Sequence, residues 1–60
     1  MLRYIVHADT EEEKKEVNKA LDEKFIDYDF DSDDRYMVDE DEAEEFEAVL
    51  NELGIDFDEV

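Results

Sequence analysis

The stretch from Asp29 to Glu40 carries acidic residues at the spacing of a calcium-binding loop. Such loops place Asp or Asn at positions 1, 3 and 5 and Glu at position 12, so that their oxygens converge on one Ca²⁺ ion. The corresponding residues here are Asp29, Asp31, Asp33 and Glu40. The position at which the sharp turn of such a loop prefers glycine is Asp34. Low-affinity calcium binding through the four carboxylates is therefore one alternative function of this segment.

The residues around this stretch favour a β-hairpin instead. Ile26, Tyr28 and Phe30 alternate with aspartates, which is the period of a half-buried strand and not of the helix that enters a calcium loop. Residues 32–34 are typical turn residues, and residues 35–39 can return as a second strand. In this interpretation the aspartates point outward as a row of negative charges.

Other residue types that support catalysis are scarce. The chain has no cysteine, and its single histidine, His7, would have only carboxylates beside it in a zinc site, which is not the usual ligand set. The only aliphatic hydroxyls belong to Thr10, a helix cap, and Ser32, a turn residue. One glycine cannot build a glycine-rich phosphate loop. We expect a protein that is not an enzyme and binds no cofactor.

The first half of the chain predicts a strand followed by a helix. Apolar residues alternate with others over residues 2–8, as in a strand with one buried face. Thr10 and Glu13 have the spacing of a helix N-terminal capping box. A helix is expected over residues 11–23, with Val17, Ala20 and Leu21, and in addition Phe25, on its buried stripe.

The second half predicts the hairpin, a second helix and a last strand. Asp39 or Asp41 can cap a helix whose buried stripe is Ala43, Phe46, Val49, Leu50 and Leu53. Gly54 ends this helix, because glycine readily adopts the left-handed conformation required there. Ile55 and Phe57 then alternate with aspartates as a short strand.

The resulting order, β-α-β-β-α-β, is that of a ferredoxin-like α+β sandwich. This fold is a small two-layer structure with a four-stranded antiparallel sheet and two helices on one face. The usual strand order of the fold places the first and third strands in the centre. We expect residues 1–60 to form a single acidic domain, with Arg3, Ile5, His7, Arg35 and Met37 on the open face of its sheet.

The strongest feature of the composition is negative charge. The 23 acidic and 6 basic residues give a formal net charge of −17, and residues 26–60 contain 16 acids with Arg35 as their only basic residue. Such a field repels nucleic acid and anionic membranes and attracts basic surfaces. The predicted partner-binding residues are the acids of the hairpin, the second helix and the last strand: Asp27, Asp29, Asp31, Asp33, Asp34, Asp41, Glu42, Glu44, Glu45, Glu47, Glu52, Asp56 and Asp58.

In composition and size the chain resembles the small acidic DNA-mimic inhibitors of bacteriophages and mobile elements. Those proteins share no motif, so the resemblance assigns no residue roles. It implies a basic partner, in particular a nucleic-acid-binding protein, and an inhibitor that does not itself contact nucleic acid. The alternative is a small domain of a halophile, whose surface acids maintain solubility in strong salt.

The remaining expectations concern location and assembly. The chain has no cysteines for disulfide bridges, which fits a reducing cytoplasm. No apolar run approaches the roughly 20 residues of a membrane span. We expect a cytoplasmic monomer or weak dimer.

Overall fold

The alternating and helical periods of the sequence build two helices and a four-stranded sheet. A computed structural model describes all of residues 1–60. Its elements in chain order are β1 (Leu2–Val6), α1 (Glu11–Glu23), β2 (Tyr28–Phe30), β3 (Tyr36–Val38), α2 (Glu40–Leu53) and β4 (Phe57–Glu59). The strands are ordered β2-β3-β1-β4, and every neighbouring pair is antiparallel. The predicted ferredoxin-like α+β fold is confirmed, with β1 and β3 in the centre.

Helix α1 begins and ends where the sequence predicts. The Thr10 side chain accepts a hydrogen bond from the Glu13 backbone N–H at 3.1 Å, and the Glu13 carboxylate accepts one from the Asp9 N–H at 3.2 Å. The first bond satisfies a donor that the first turn of a helix leaves free, and the second joins the residue before the N-cap to that turn. The expected capping role of Thr10 is thereby confirmed.

Helix α2 follows Asp39, whose extended backbone forms the N-cap although its side chain makes no capping hydrogen bond. The helix ends at Gly54, which adopts the left-handed conformation at φ 71°. A residue with a Cβ is disfavoured in this conformation, so glycine suits the position.

The strand register separates the two faces of the sheet. Leu2 pairs with Val38 and Tyr4 with Tyr36 on the helix side, while the Arg3 and Met37 pair between them belongs to the open side. The strands are shorter than the sequence predicts. The first ends at Val6 and not at residue 8, and the second begins at residue 28 and not at residue 26.

The core lies between the helices and the sheet. It consists of Tyr4, Val17, Leu21, Ile26, Tyr36, Val38, Ala43, Phe46, Val49, Leu50 and Ile55. The ring of Phe46 contacts those of Tyr4 and Tyr36, with centroids 4.8 and 5.7 Å away. Two apolar residues expected on the buried stripes are outside this core, because Leu53 is 37% exposed and Phe25 is 89% exposed. The prediction of a buried Phe25 was wrong.

The helix and the edge strand that follows it occur twice in the fold, at an offset of 29 residues. The helices begin at Glu11 and Glu40, and the edge strands β2 and β4 begin at Tyr28 and Phe57. At the same offset, LDEKFIDYD in residues 21–29 aligns with LNELGIDFD in residues 50–58. Equivalent positions in the two halves can therefore be compared directly.

Candidate functional site

The densest negative charge lies on α2. Its sequence, EDEAEEFEAVLNEL, contains seven acidic residues and no Lys or Arg, whereas α1 combines six acids with three lysines. The buried stripe of α2 faces the core, and Asp41, Glu44 and Glu45 are exposed on the solvent side. None of these three carboxylates forms an ion pair or hydrogen bond with another residue. These three carboxylates are therefore not engaged within the fold.

Three other carboxylates of α2 are engaged within the fold. Glu42 accepts a hydrogen bond from the backbone N–H of Asp27 at 2.7 Å, and Glu47 accepts one from the Tyr4 hydroxyl at 2.7 Å. Glu52 lies 3.9 Å from the ammonium group of Lys24. Burial, followed by the bond to Glu47, raises the pKa of Tyr4 above its usual value. Glu42, Glu47 and Glu52 thus attach α2 to the rest of the molecule.

Asp31 organises the hairpin between β2 and β3. Its carboxylate accepts the backbone N–H groups of Asp33 and Arg35, each at 2.9 Å. It also lies 2.9 Å from the Arg35 Nε and 3.5 Å from the Arg3 Nε. The backbone N–H of Arg35, helped by that of Asp33 and by the guanidinium charge, holds the pKa of Asp31 below its usual value. Asp33 accepts a hydrogen bond from Arg35 Nη2 at 2.9 Å. Both aspartates stabilise the turn.

The open face of the sheet carries acids at its two edges and arginines between them. Asp29 on β2 pairs with Met37, which pairs in turn with Arg3. On the far side, the Asp58 carboxylate of β4 lies 2.9 Å from the His7 Nε2. Edges separated by three strand spacings are roughly 14 Å apart. The structure therefore does not bring the β2 and β4 acids together, and cations offset much of the charge between them.

Asp34 and Asp56 are both exposed but lie in different places. Asp34 is in the hairpin turn with a left-handed backbone at φ 61°. Asp56 precedes β4, and its backbone oxygen accepts the N–H of His7 at 2.8 Å. Neither side chain forms a hydrogen bond or an ion pair with a residue of α2.

Asp27 does adjoin that row, because its backbone is bonded to Glu42. Residues three or four apart are neighbours on a helix, so Glu45 lies beside Glu42, and Glu44 and Glu45 lie beside Asp41. We call this set, Asp27, Asp41, Glu42, Glu44 and Glu45, the α2 acidic surface. It combines one residue that precedes the hairpin in the sequence with four residues of α2.

The segment that resembles a calcium loop is a hairpin followed by the first residue of α2. Asp31 is directed to Arg3 and Arg35, while Glu40 is exposed in the first turn of α2. The structure contains no group of three or more His, Asp or Glu side chains placed to hold a metal ion. It also contains no helix long and apolar enough to cross a membrane.

A shallow groove of about 270 Å³, which the sequence does not predict, lies at the turn end of the hairpin. Phe30 and Tyr36 form part of its apolar wall, and Lys14 and Asp34 are its only charged lining residues. The Tyr36 hydroxyl donates a hydrogen bond to the Asn18 Oδ1 at 2.7 Å. Burial, together with the nearby Tyr28, raises the pKa of Tyr36 to about 12. The groove offers no pair of carboxylates for acid–base chemistry.

Comparison with protein-family models, with curated proteins and with solved structures finds no match to this chain.

Proposed function

We propose that this protein is a non-enzymatic inhibitor that binds a basic surface of a nucleic-acid-binding protein and mimics DNA there. One observation carries the proposal. The exposed acids Asp41, Glu44 and Glu45 have no internal partner, whereas Asp31, Asp33 and Asp58 of the hairpin and the sheet each pair with an arginine or with His7. Uncompensated charge concentrated on one helix is available to an external cation.

The spacing of these acids suits a surface that normally binds a nucleic-acid backbone. Side chains three and four residues apart on a helix lie about 5–6 Å from each other. Phosphates in duplex DNA rise by about 3.4 Å per nucleotide along each strand, and the oblique path of the backbone makes their true separation larger. Carboxylates on α2 can therefore reach Lys and Arg groups that are positioned to bind successive phosphates.

The energetic gain has the same source as in DNA binding. Binding to a charged surface releases the counterions that had gathered there, and each charge-assisted hydrogen bond between a guanidinium and a carboxylate adds directional stability. The affinity should therefore fall steeply with salt. The unpaired acids of α2 are the first to be tested, because four other predicted site residues already have internal partners: Asp31, Asp33, Glu47 and Asp58.

The test compares two variants that remove equal charge from the two helices. The first is Asp41→Asn with Glu44→Gln and Glu45→Gln. The matched control replaces Glu11, Glu12 and Glu16 on α1 by Gln, since these acids are also exposed and only Glu11 has an ion pair, at 3.9 Å from the Lys14 Nζ. A basic protein captured from a host lysate by the wild-type chain is purified, and its affinity for each variant is measured over a range of salt concentrations.

The α2 variant should bind at least about tenfold more weakly, and its plot of log affinity against log salt should be shallower by about three. The α1 control should stay close to the wild type in both quantities. Equal weakening by the two variants would show that only the net charge matters and would contradict a binding surface on α2. Circular dichroism of each variant verifies that the fold is retained.

A further inference from the structure

Phe25 combines two unfavourable features. Its backbone has the left-handed conformation, at φ 57°, and its side chain is 89% exposed to solvent. A bulky side chain is rare in this conformation because its Cβ crowds the backbone. A large apolar ring in water contributes nothing to folding through burial. Backbone strain of this kind concentrates at functional positions.

Gly54 is the equivalent residue in the second half of the fold and serves as an internal comparison. Both positions are bounded by the same bond, from Ile26 N–H to Leu21 O and from Ile55 N–H to Leu50 O, each at 3.0 Å. A Cβ added to Gly54 would meet nothing within 4 Å. Glycine thus adopts the left-handed conformation at this helix end without the loss of any side-chain contact. The presence of phenylalanine at the equivalent position is therefore not explained by the geometry of the helix end.

Packing within the chain does not supply that explanation. The ring of Phe25 is outside the core and forms none of the aromatic contacts that join Tyr4, Tyr28, Phe30, Tyr36, Phe46 and Phe57. The buried residue of this connection is its neighbour Ile26, which is 3% exposed. The fold therefore uses Ile26 and leaves Phe25 free.

Residues on both sides of Phe25 in the chain contact carboxylates of α2. On one side of it, the ammonium group of Lys24 lies 3.9 Å from Glu52. On the other side, the N–H of Asp27 donates to Glu42 at 2.7 Å. Both flanking residues thus contact α2, and Phe25 projects from the short segment between them. Asp22 and Glu23 precede it and are also exposed.

We infer that Phe25 is the aromatic anchor of the α2 acidic surface and stacks on an arginine side chain of the basic partner. The inference rests on the proposed function. A guanidinium group is attracted to the face of an aromatic ring, and arginine does this more often than lysine. The exposed acids close to Phe25 in the chain, Asp22, Glu23 and Asp27, favour a cationic ligand over an apolar one. Aromatic residues within a polar rim contribute much of the binding energy in many protein interfaces.

The experiment uses two unstructured peptides of equal length and charge, one built on arginine and one on lysine. Binding of each to the full chain is measured by fluorescence anisotropy at low salt. The wild type should bind the arginine peptide about threefold to fivefold more tightly than variants that lack the Phe25 ring. A factor of this size is typical of an exposed cation–π contact. Binding of the lysine peptide should depend much less on the ring, because lysine stacks on aromatic side chains less often than arginine does.

Three variants separate the contributions of the ring. Phe25→Leu keeps an apolar side chain and the strained backbone but has no aromatic face. Phe25→Gly relieves the strain, and Phe25→Trp enlarges the aromatic face. The Leu and Gly variants should lose the arginine-specific gain and retain lysine-peptide affinity, and the Trp variant should keep or increase the gain. Phe25→Gly should also have a higher thermal unfolding midpoint than the wild type.

Failure of this inference differs from failure of the proposed function. Equal arginine-peptide affinity in the wild type and in the Leu and Gly variants would overturn the anchor while leaving the acidic surface intact. A lower unfolding midpoint for Phe25→Gly would overturn it too, since the ring would then stabilise the fold. Absence of binding of either peptide to the wild type would overturn the proposed function itself.

Discussion

The raised pKa and the hydrogen bond of Tyr36 lead to a quantitative prediction about unfolding at alkaline pH. Tyr36→Phe removes the 2.7 Å hydrogen bond to Asn18, which should lower the free energy of unfolding by about 1 kcal/mol at neutral pH. Wild-type Tyr36 has its pKa raised to about 12, compared with about 10 in an unfolded chain. The stability associated with this raised pKa is therefore fully present below the unfolded pKa and is lost as the pH rises toward the folded pKa.

The size of this loss follows from the two pKa values. At roughly pH 11 the unfolded phenol is mostly ionised and the folded phenol is mostly neutral, so the wild type loses about 1 kcal/mol relative to neutral pH. The variant has no phenol at this position and does not lose this amount. The difference in stability between the two proteins should thus shrink from about 1 kcal/mol to near zero over this range.

Urea unfolding followed by circular dichroism measures both proteins at each pH. Tyr4 and Tyr28 titrate in both, so their contributions largely cancel from the difference. Asn18→Ala serves as the control, because it removes the acceptor but keeps the ionisable phenol and should retain the alkaline loss. A stability difference between wild type and Tyr36→Phe that stays constant from neutral to alkaline pH would refute the reasoning.

Three further predictions concern the turn, the helix end and the effect of cations. Asp31→Asn should lower the thermal unfolding midpoint at neutral pH and reduce the further drop of the midpoint in acid. The stability conferred by a lowered carboxyl pKa is present above the unfolded pKa of about 3.9 and is lost as the pH falls through the folded pKa. If thermal scans show the same drop in acid for the variant and the wild type, this explanation is contradicted. Gly54→Ala should cost about 1 kcal/mol through its left-handed backbone alone, and a neutral result in urea unfolding would argue against that conformation. The wild type should be folded at about 0.1 M salt and be stabilised by calcium no more than by monovalent salt of equal ionic strength. Folding only near molar salt would favour halophilic adaptation, and a saturable calcium effect lost in Asp29→Ala and Glu40→Ala would favour the calcium loop.

The sequence predicts the architecture well because its local patterns agree with one another. Thr10 and Gly54 mark a helix start and a helix end, and the change from a helical period to a period of two at Ile26 separates α1 from β2. Each of these features depends on residues close together in the chain. Ferredoxin-like order then follows from the sequence of elements, since few arrangements of them bury all the apolar faces.

The distribution of charge could not be predicted in the same way. Asp31 meets Arg3 only after the strands pair, and Glu42 reaches the N–H of Asp27 only after α2 packs beside the start of β2. These long-range contacts decide which acids are neutralised within the fold and which are free. A row of acids in the sequence is therefore a poor guide to a row of acids on the surface.

The sequence predicts a buried Phe25, because this residue follows the apolar stripe of α1. Its left-handed backbone turns the side chain outward and gives the buried position to Ile26. The alignment of residues 21–29 with residues 50–58 sets Phe25 against Gly54, and this correspondence was the available indication that residue 25 ends a helix.

The central claim is that the α2 acidic surface occupies a site that otherwise binds DNA. The most direct measurement is a competition titration, in which duplex DNA is added to the complex of this protein with its captured basic partner. We predict that DNA displaces the protein completely, at concentrations given by the two separate affinities, and that Asp41→Asn with Glu44→Gln and Glu45→Gln is displaced at lower DNA concentrations. A stable ternary complex of partner, DNA and this protein would contradict the claim.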